Sequence, residues 1–302
     1  MTGIIRKSAT AACVLWLCGL AGAAEKSIPI RHRFLCVDNA ANRLVCVDEG
    51  APSRGWSVAI PPGSRDLQRL GDQAVLVSHG NGAAEYELAS GAKRAWVVDR
   101  YRDIQTARRL ADGKTLLASV RGELFELDKD GREVGRVRID QPGLNMRLMR
   151  VLDSGNLLIG AKSPSGVLEV TRQGKVVRRW ALAGSGYTAE ALGAERVLSS
   201  QGAEAKIVEM DAQGKVMKYV GGKADHPEAG LDFCSGWERL ANGNIVMANW
   251  LGHLKAQAAR GRPHLVEFSP DNRIVWTWAD HQAVRTATNV LILDAPAPAG
   301  RK

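Results

Sequence analysis

The sequence predicts an all-β chain folded as a six-bladed β-propeller of four-stranded antiparallel blades. Three observations predict it. A leucine, a polar turn and an apolar stretch recur at near-constant spacing. A second two-strand motif follows each copy. Incomplete motifs at the two ends of the chain complement one another.

The first motif reads LGDQAVLVS from Leu70, LADGKTLLAS from Leu110, LDSGNLLIGA from Leu152, LGAERVLSS from Leu192 and LANGNIVMA from Leu240. Its leucines stand 40, 42, 40 and 48 residues apart. A period near 40 with turn residues inside it marks a propeller or another solenoid. The leucine ends a strand A, and a D-G or N-G type turn leads into a strand B. Helix-period patterns are absent, which disfavours a helical solenoid.

The second motif reads AEYELASGAKRAWVV, ELFELDKDGREVGRV, GVLEVTRQGKVVRRW, AKIVEMDAQGKVMKY and HLVEFSPDNRIVWTW. Each is an apolar strand C, a tight turn and a Val-rich strand D. Gly and Asn at such turns supply the positive φ that a short hairpin needs. Strand C carries a recurrent Glu, at 87, 126, 169, 209 and 267. One binding site has no use for five of them, so the Glu is read as structural. Trp56, Trp96, Trp180, Trp276 and Trp278 fall in D strands, with Tyr219 in the equivalent place of blade 5, and are expected to pack between blades.

The ends supply the sixth blade. Residues 34–60 carry strands B, C and D but no A, and 284–294 carry an orphan strand. Joined, they close the ring and remove its open edges.

Residues 1–24 read as a secretory signal. Arg6 and Lys7 precede a short apolar run, and Ala21-Gly22-Ala23 is an A-x-A cleavage site. The run is too short for a comfortable membrane span. Leu17 stands where lipidation of Cys18 would need a small residue. The expectation is a periplasmic or secreted protein: a signal at 1–24 and a single propeller domain over 25–302, with 295–302 a frayed tail.

Net charge is +9, from 41 Lys and Arg against 32 Asp and Glu, and cleavage removes two of the basic residues. The excess is dispersed, which favours anionic ligands, and no basic, aromatic-laced segment points to nucleic acid. Cys36, Cys46 and Cys234 remain after cleavage. Cys36 and Cys46 lie on neighbouring strands, where either a bridge or simple packing is open. No C-x-x-C occurs.

The repeat L-x-(D/N)-G-N-x-L followed by V-x-E-x-D-x-x-G-x-V-V-W-x-W resembles that of secreted bacterial propellers of the quinoprotein-like and arylsulfotransferase-like group. RFLCVDNAANRLVCVD, NWLGH and VEFSPDNRIVWTWADH resemble functionally obscure exported members. The resemblance covers nearly the whole mature chain and implies the fold. It does not carry an activity, because propellers host many. Quinoproteins of this kind usually have eight blades, and many hold adjacent bonded cysteines over the quinone. This chain has neither, which argues against PQQ, and no cofactor is expected. None of its histidines matches the nucleophile of the arylsulfotransferases.

Strand order places the B–C and D–A loops on one face. They are longer and more varied than the A–B and C–D turns, so this is the expected functional face. Successive strand-C Glu residues are 39, 43, 40 and then 58 residues apart. Two loops of the last repeat hold most of the excess: GGKADHPEAGLDFCSG at 221–236 and NWLGHLKAQAARGRP at 249–263. Long loops in a compact fold are often functional.

The same face collects His79, His226, His253 and His281, together with Arg102, Asp103, Arg147, Tyr187, Asp232, Trp237, Asn249 and Trp250. His253 and His226 are the candidate acids, bases or nucleophiles. Arg147 suits an anion and the tryptophans suit a flat ring. A metal set of His226, Asp232, His253 and His281 lacks compact spacing, so no metal is expected. The sequence therefore implies binding of a small anionic or carbohydrate-like molecule, or of an envelope protein. A periplasmic enzyme (sulfotransferase, hydrolase or lyase) and an envelope scaffold are the alternatives.

Overall fold

The computed structural model describes residues 29–294. The signal segment and the tail fall outside the described residues. Twenty-four strands form six four-stranded antiparallel sheets. In chain order, β1 (Arg33–Asp38), β2 (Arg43–Asp48) and β3 (Trp56–Ala59) belong to blade 1. Blade 2 is β4 (Leu67–Leu70), β5 (Ala74–His79), β6 (Gly82–Glu87) and β7 (Lys93–Asp99). Blade 3 is β8 (Ile104–Arg109), β9 (Thr115–Ser119), β10 (Glu123–Leu127) and β11 (Glu133–Arg138). Blade 4 is β12 (Asn145–Val151), β13 (Leu157–Ser163), β14 (Gly166–Val170) and β15 (Val176–Ala181). Blade 5 is β16 (Ala189–Ala191), β17 (Val197–Gln201), β18 (Lys206–Met210) and β19 (Val216–Gly221). Blade 6 is β20 (Cys234–Arg239), β21 (Ile245–Asn249), β22 (Leu265–Phe268) and β23 (Ile274–Trp278). The last strand, β24 (Ala287–Ile292), pairs with β1 and completes blade 1. Among the described residues no helix is long and apolar enough to cross a membrane.

The repeat leucines sit at the end of each inner strand or one residue beyond it, as expected. In blades 3 to 6 the recurrent Glu reaches back to the A–B turn of its own blade. Glu87 of blade 2 does not, because the register puts Glu85 opposite Leu76 in the equivalent place and leaves Glu87 exposed, accepting from the Ser90 hydroxyl at 2.9 Å. Glu126 accepts from Lys114 at 2.7 Å, Glu169 from Asn156 at 2.7 Å, Glu209 from Arg196 at 2.7 Å and Glu267 from Asn244 at 2.6 Å. One carboxylate thus ties the first turn of a blade to its third strand.

The D-strand tryptophans tie blade to blade. Each indole N–H reaches the C–D turn of the next blade: Trp56 to the Leu88 carbonyl at 3.2 Å, Trp96 to Lys129 at 3.1 Å and Trp180 to Asp211 at 3.0 Å. Trp276 closes the series on the Glu49 carboxylate at 3.1 Å. The ring therefore repeats a hydrogen bond as well as an apolar contact. Trp278 packs edge-on against Phe34, 5.1 Å between centroids.

Closure is antiparallel, with Phe34 opposite Ile292 and Leu35 opposite Leu291. His32 locks it. One ring nitrogen meets Glu267 Oε2 of blade 6 at 2.8 Å and the other meets Asp294. Two acceptor-only carboxylates require a ring that carries both protons. Burial opposes that charge most strongly, but the two carboxylates outweigh it and raise the imidazole pKa above 6.5.

Cys36 and Cys46 are free and buried. The register sets Cys36 opposite Val45 and Leu35 opposite Cys46. The two thiols therefore point to opposite faces of the blade, and the direct pairing that a bridge needs does not occur. Packing is their role.

A group whose pKa rises on folding stabilises fully below its unfolded value and loses that contribution as pH climbs through its folded value. The His32 lock is thus complete below about pH 6.5 and weakens above it. We expect His32→Ala to cost roughly 1–3 kcal/mol at pH 6, and markedly less at pH 9, as read by chemical denaturation at both values.

Candidate functional site

Each inner strand runs from a D–A loop to an A–B turn, so the D–A and B–C loops share one face and ring the mouth of the central channel. The two long loops lie there over blade 6. Their borders differ slightly from expectation: Cys234, Ser235 and Gly236 belong to β20 and Asn249 to β21, because Cys234 pairs with Asn249 in the ladder.

Asn249 is fully buried and binds the two loops together. Its Oδ1 accepts from the Asp232 N–H at 2.7 Å, and its Nδ2 donates to the carbonyls of Pro263 at 2.8 Å and Gly230 at 3.2 Å. The Trp250 N–H adds a bond to the Phe233 carbonyl at 2.8 Å. Asn249 is therefore a positioning residue with no group left to offer a ligand. Gly252 completes the NWLGH segment for a steric reason: a Cβ there would stand 2.3 Å from the Trp250 ring.

The channel mouth is cationic. Arg65 precedes β4 of blade 2, Arg147 lies on β12 of blade 4 and Tyr187 precedes β16 of blade 5. Blades 2 and 5 are opposite in a six-membered ring, yet Arg65 Nη1 approaches Tyr187 Oη at 3.5 Å. That contact spans the axis. Arg147 Nη1 donates to Asn145 Oδ1 and to its neighbour's carbonyl, that of Met146. Burial lowers the Arg147 pKa, and the Arg65 charge pushes the same way. Arg65 Nε is buried without a hydrogen-bond partner. Among the described residues neither guanidinium has a carboxylate partner.

Deeper in the channel the charges are matched. Asp66 takes Arg108 Nη2 at 2.5 Å, Arg150 Nη1 at 3.2 Å and the Thr106 hydroxyl. Arg108 also caps the carbonyls of Leu67 and Met149 on both flanking inner strands, each at 3.0 Å. At the repeat position that Arg108 and Arg150 hold in their blades, Glu238 accepts from the Ile292 N–H across the closing seam at 2.5 Å. Burial drives its pKa up to about 7, despite the opposing charges of Arg69 and Arg150.

Beside the mouth runs a row of rings. Tyr187 and Phe233 lie 6.5 Å apart, Phe233 and Trp250 5.9 Å, and Trp250 and His253 4.5 Å, all edge to face. The Trp250 indole donates to Asn39 at 3.0 Å. His253 Nδ1 stands 3.6 Å from Asp232 Oδ2, with Lys223 Nζ 4.0 Å from the other oxygen. Asp232 Oδ2 is buried and has no hydrogen-bond partner.

The structure thus brings Arg147, Tyr187, Trp250 and His253 into one region and leaves other candidates outside it. His226 lies at the rim between blades 5 and 6, on the Phe268 ring and 3.3 Å from Asn272. His79 is buried, accepts from the Asn81 N–H at 3.3 Å and has its pKa lowered by burial. His281 meets the Arg262 carbonyl at 3.0 Å and lies 4.4 Å from His264, the rings tilted by 48°. His264 is itself buried and pushed down to about 4 chiefly by that burial. Trp237 is buried in the core between blades 5 and 6, because strand alternation gives it the same position as Met149 and Val290. Arg102 is exposed, and Asp103 takes a left-handed turn at φ 57°. Among the described residues no three His, Cys, Asp or Glu side chains form a metal set.

Sequence reasoning missed Arg65, Asp66, Arg108, Arg150, Phe233 and Glu238. A signal was present for some. The second residue before each repeat leucine is Gln68, Arg108, Arg150, Glu190 or Glu238. A polar residue at that one position of these five inner strands marks the channel wall. A cleft of about 420 Å³ at the closing seam on the opposite face also holds arginines, but there Arg54 meets Asp48 at 2.8 Å.

No protein-family model and no curated protein matches the chain. Solved structures do. A protein of unknown function from Bacteroides caccae is 19% identical, with a TM-score of 0.74 over 88% of this chain and 100% of that one. A streptogramin B lyase is 12% identical, with a TM-score of 0.57 over 84% and 85%. A catalytically inactive virginiamycin B lyase from Staphylococcus aureus, with quinupristin, is 11% identical, with a TM-score of 0.54 over 82% and 84%. Likeness at these identities is likeness of fold.

Two predictions test the site's construction. Asn249→Ala should cost about 2 kcal/mol or more, because it strands buried partners in both loops, and faster proteolysis within 222–233 and 250–264 should accompany it. Glu238 has a raised pKa, so it loses stability as pH climbs from about 4.5 to 7. Glu238→Gln should therefore raise the melting temperature at pH 8 and leave it nearly unchanged at pH 4.5, as followed by calorimetry.

Proposed function

We propose that this chain is an exported propeller that binds a small anionic ligand at the mouth of its central channel. One observation carries the reading: Arg65 and Arg147 converge on the axis with the Tyr187 hydroxyl, and neither guanidinium has a carboxylate partner among the described residues. Two half-buried like charges repel, and an anion between them relieves that repulsion while accepting charge-assisted hydrogen bonds. The matched charges one layer deeper make the contrast, since the fold satisfies its arginines where it needs them for structure. The signal-like residues 1–24 and the dispersed positive charge support the same reading.

Sulfate is the simplest probe. At 100 times its dissociation constant a ligand that binds only the folded state adds about 2.7 kcal/mol. Sulfate should raise the melting temperature of the protein, chloride at equal ionic strength should not, and Arg147→Ala should abolish the difference. Equal shifts in the variant would contradict the reading.

A second reading is enzymatic. It is favoured by the approach of exposed His253 to Asp232 beside this mouth, an arrangement suited to acid–base work. Two of the similar structures are lyases by description. If this reading holds, His253→Ala should remove turnover while sulfate binding persists.

A further inference from the structure

We infer that the ligand is an acidic sugar chain, with a carboxylate held between Arg65 and Arg147 and its pyranose rings laid along Phe233 and Trp250 toward Asp232. The inference rests on the anion-binding reading above and names the class of molecule that reading requires.

The row of rings begins where the cationic mouth ends, since Tyr187 belongs to both. From Tyr187 it continues through Phe233 to Trp250 in steps of 6.5 and 5.9 Å. A lone inorganic anion would occupy the first station and leave the others unused. A molecule that fills all of them has an anionic end and extends over at least two aromatic rings.

The border of the row selects among such molecules. An aryl acid would want an apolar slot. Here the rings alternate with polar groups: Asn39 on the Trp250 indole, and His253 and Lys223 on either side of Asp232. Asp232 is the telling one. Its Oδ2 is buried and makes no hydrogen bond, and His253 Nδ1 approaches it only to 3.6 Å, beyond hydrogen-bond reach, which leaves room for a closer donor. A pyranose offers what the site lacks, with C–H faces for the rings and equatorial hydroxyls that donate to a carboxylate at their edge. Asn249 holds Asp232 and Trp250 in register by bonding the Asp232 backbone while leaving its side chain free of that bond. The polar edge is therefore built by the fold.

The test is calorimetric titration of the protein with three probes: sulfate, trigalacturonate and neutral cellotriose. Trigalacturonate should bind at least about tenfold tighter than sulfate, a gain in keeping with one ring contact and one hydrogen bond. Cellotriose should bind far more weakly. Trp250→Ala and Asp232→Asn should each erase most of the trigalacturonate gain and leave sulfate binding in place, which also shows that those variants are folded. Arg147→Ala should weaken sulfate and trigalacturonate alike. If sulfate binds through Arg147 and trigalacturonate binds no better, the sugar inference falls and the anion site stands. Cellotriose binding as tightly as trigalacturonate removes the acidic requirement and overturns the inference. Binding of neither anion overturns both readings.

Discussion

Closure of the ring is the constraint on which the rest of the structure depends. Five blades come from consecutive chain, but blade 1 exists only when β24 finds β1. Without that pairing β20 of blade 6 would lack its neighbour, and no channel would form. Three interactions of different kinds converge on the seam: the strand ladder, the Trp276 indole on Glu49, and the His32 imidazolium between Glu267 and Asp294. The last also recruits a repeat feature for a unique task. Glu267 binds the A–B turn of its blade through one oxygen, as Glu126, Glu169 and Glu209 do, and gives the other to His32.

A closed ring sets six inner strands around one axis, where polar side chains of opposite blades meet. Polar side chains there must satisfy one another or wait for a partner. The channel shows both outcomes. Around Asp66 the cations are matched and staple neighbouring strands together. At the mouth they are not, and the enlarged loops of blade 6 set a row of rings beside them. Scaffold and site are thus consequences of the same closure.

The blade pattern was legible because it is local: each strand, turn and Glu repeats within about 40 residues. Even the split blade could be read, since its two fragments complement each other in strand count. The enlarged loops were legible as a break in spacing, and NWLGH did mark the segment that holds Trp250 and His253. The partners of that segment were not. Arg65 and Tyr187 are far apart in sequence and meet only because blades 2 and 5 oppose each other across the axis. Trp237 looked equivalent to Trp250, but the alternation of β20 turns it into the core between blades. His226 shares an enlarged loop with Asp232, yet the outer blade edge holds it. Loop membership is readable from spacing, whereas direction within a loop depends on contacts that spacing does not encode.

The central claim is that the channel mouth, and not the arginine-bearing seam cleft on the opposite face, is the anion site. The most direct measurement is anomalous diffraction from crystals of the protein soaked in selenate. The account predicts a selenium peak between the guanidinium groups of Arg65 and Arg147, within hydrogen-bond distance of Tyr187. A peak beside Arg54 in the seam cleft with none at the mouth would contradict it.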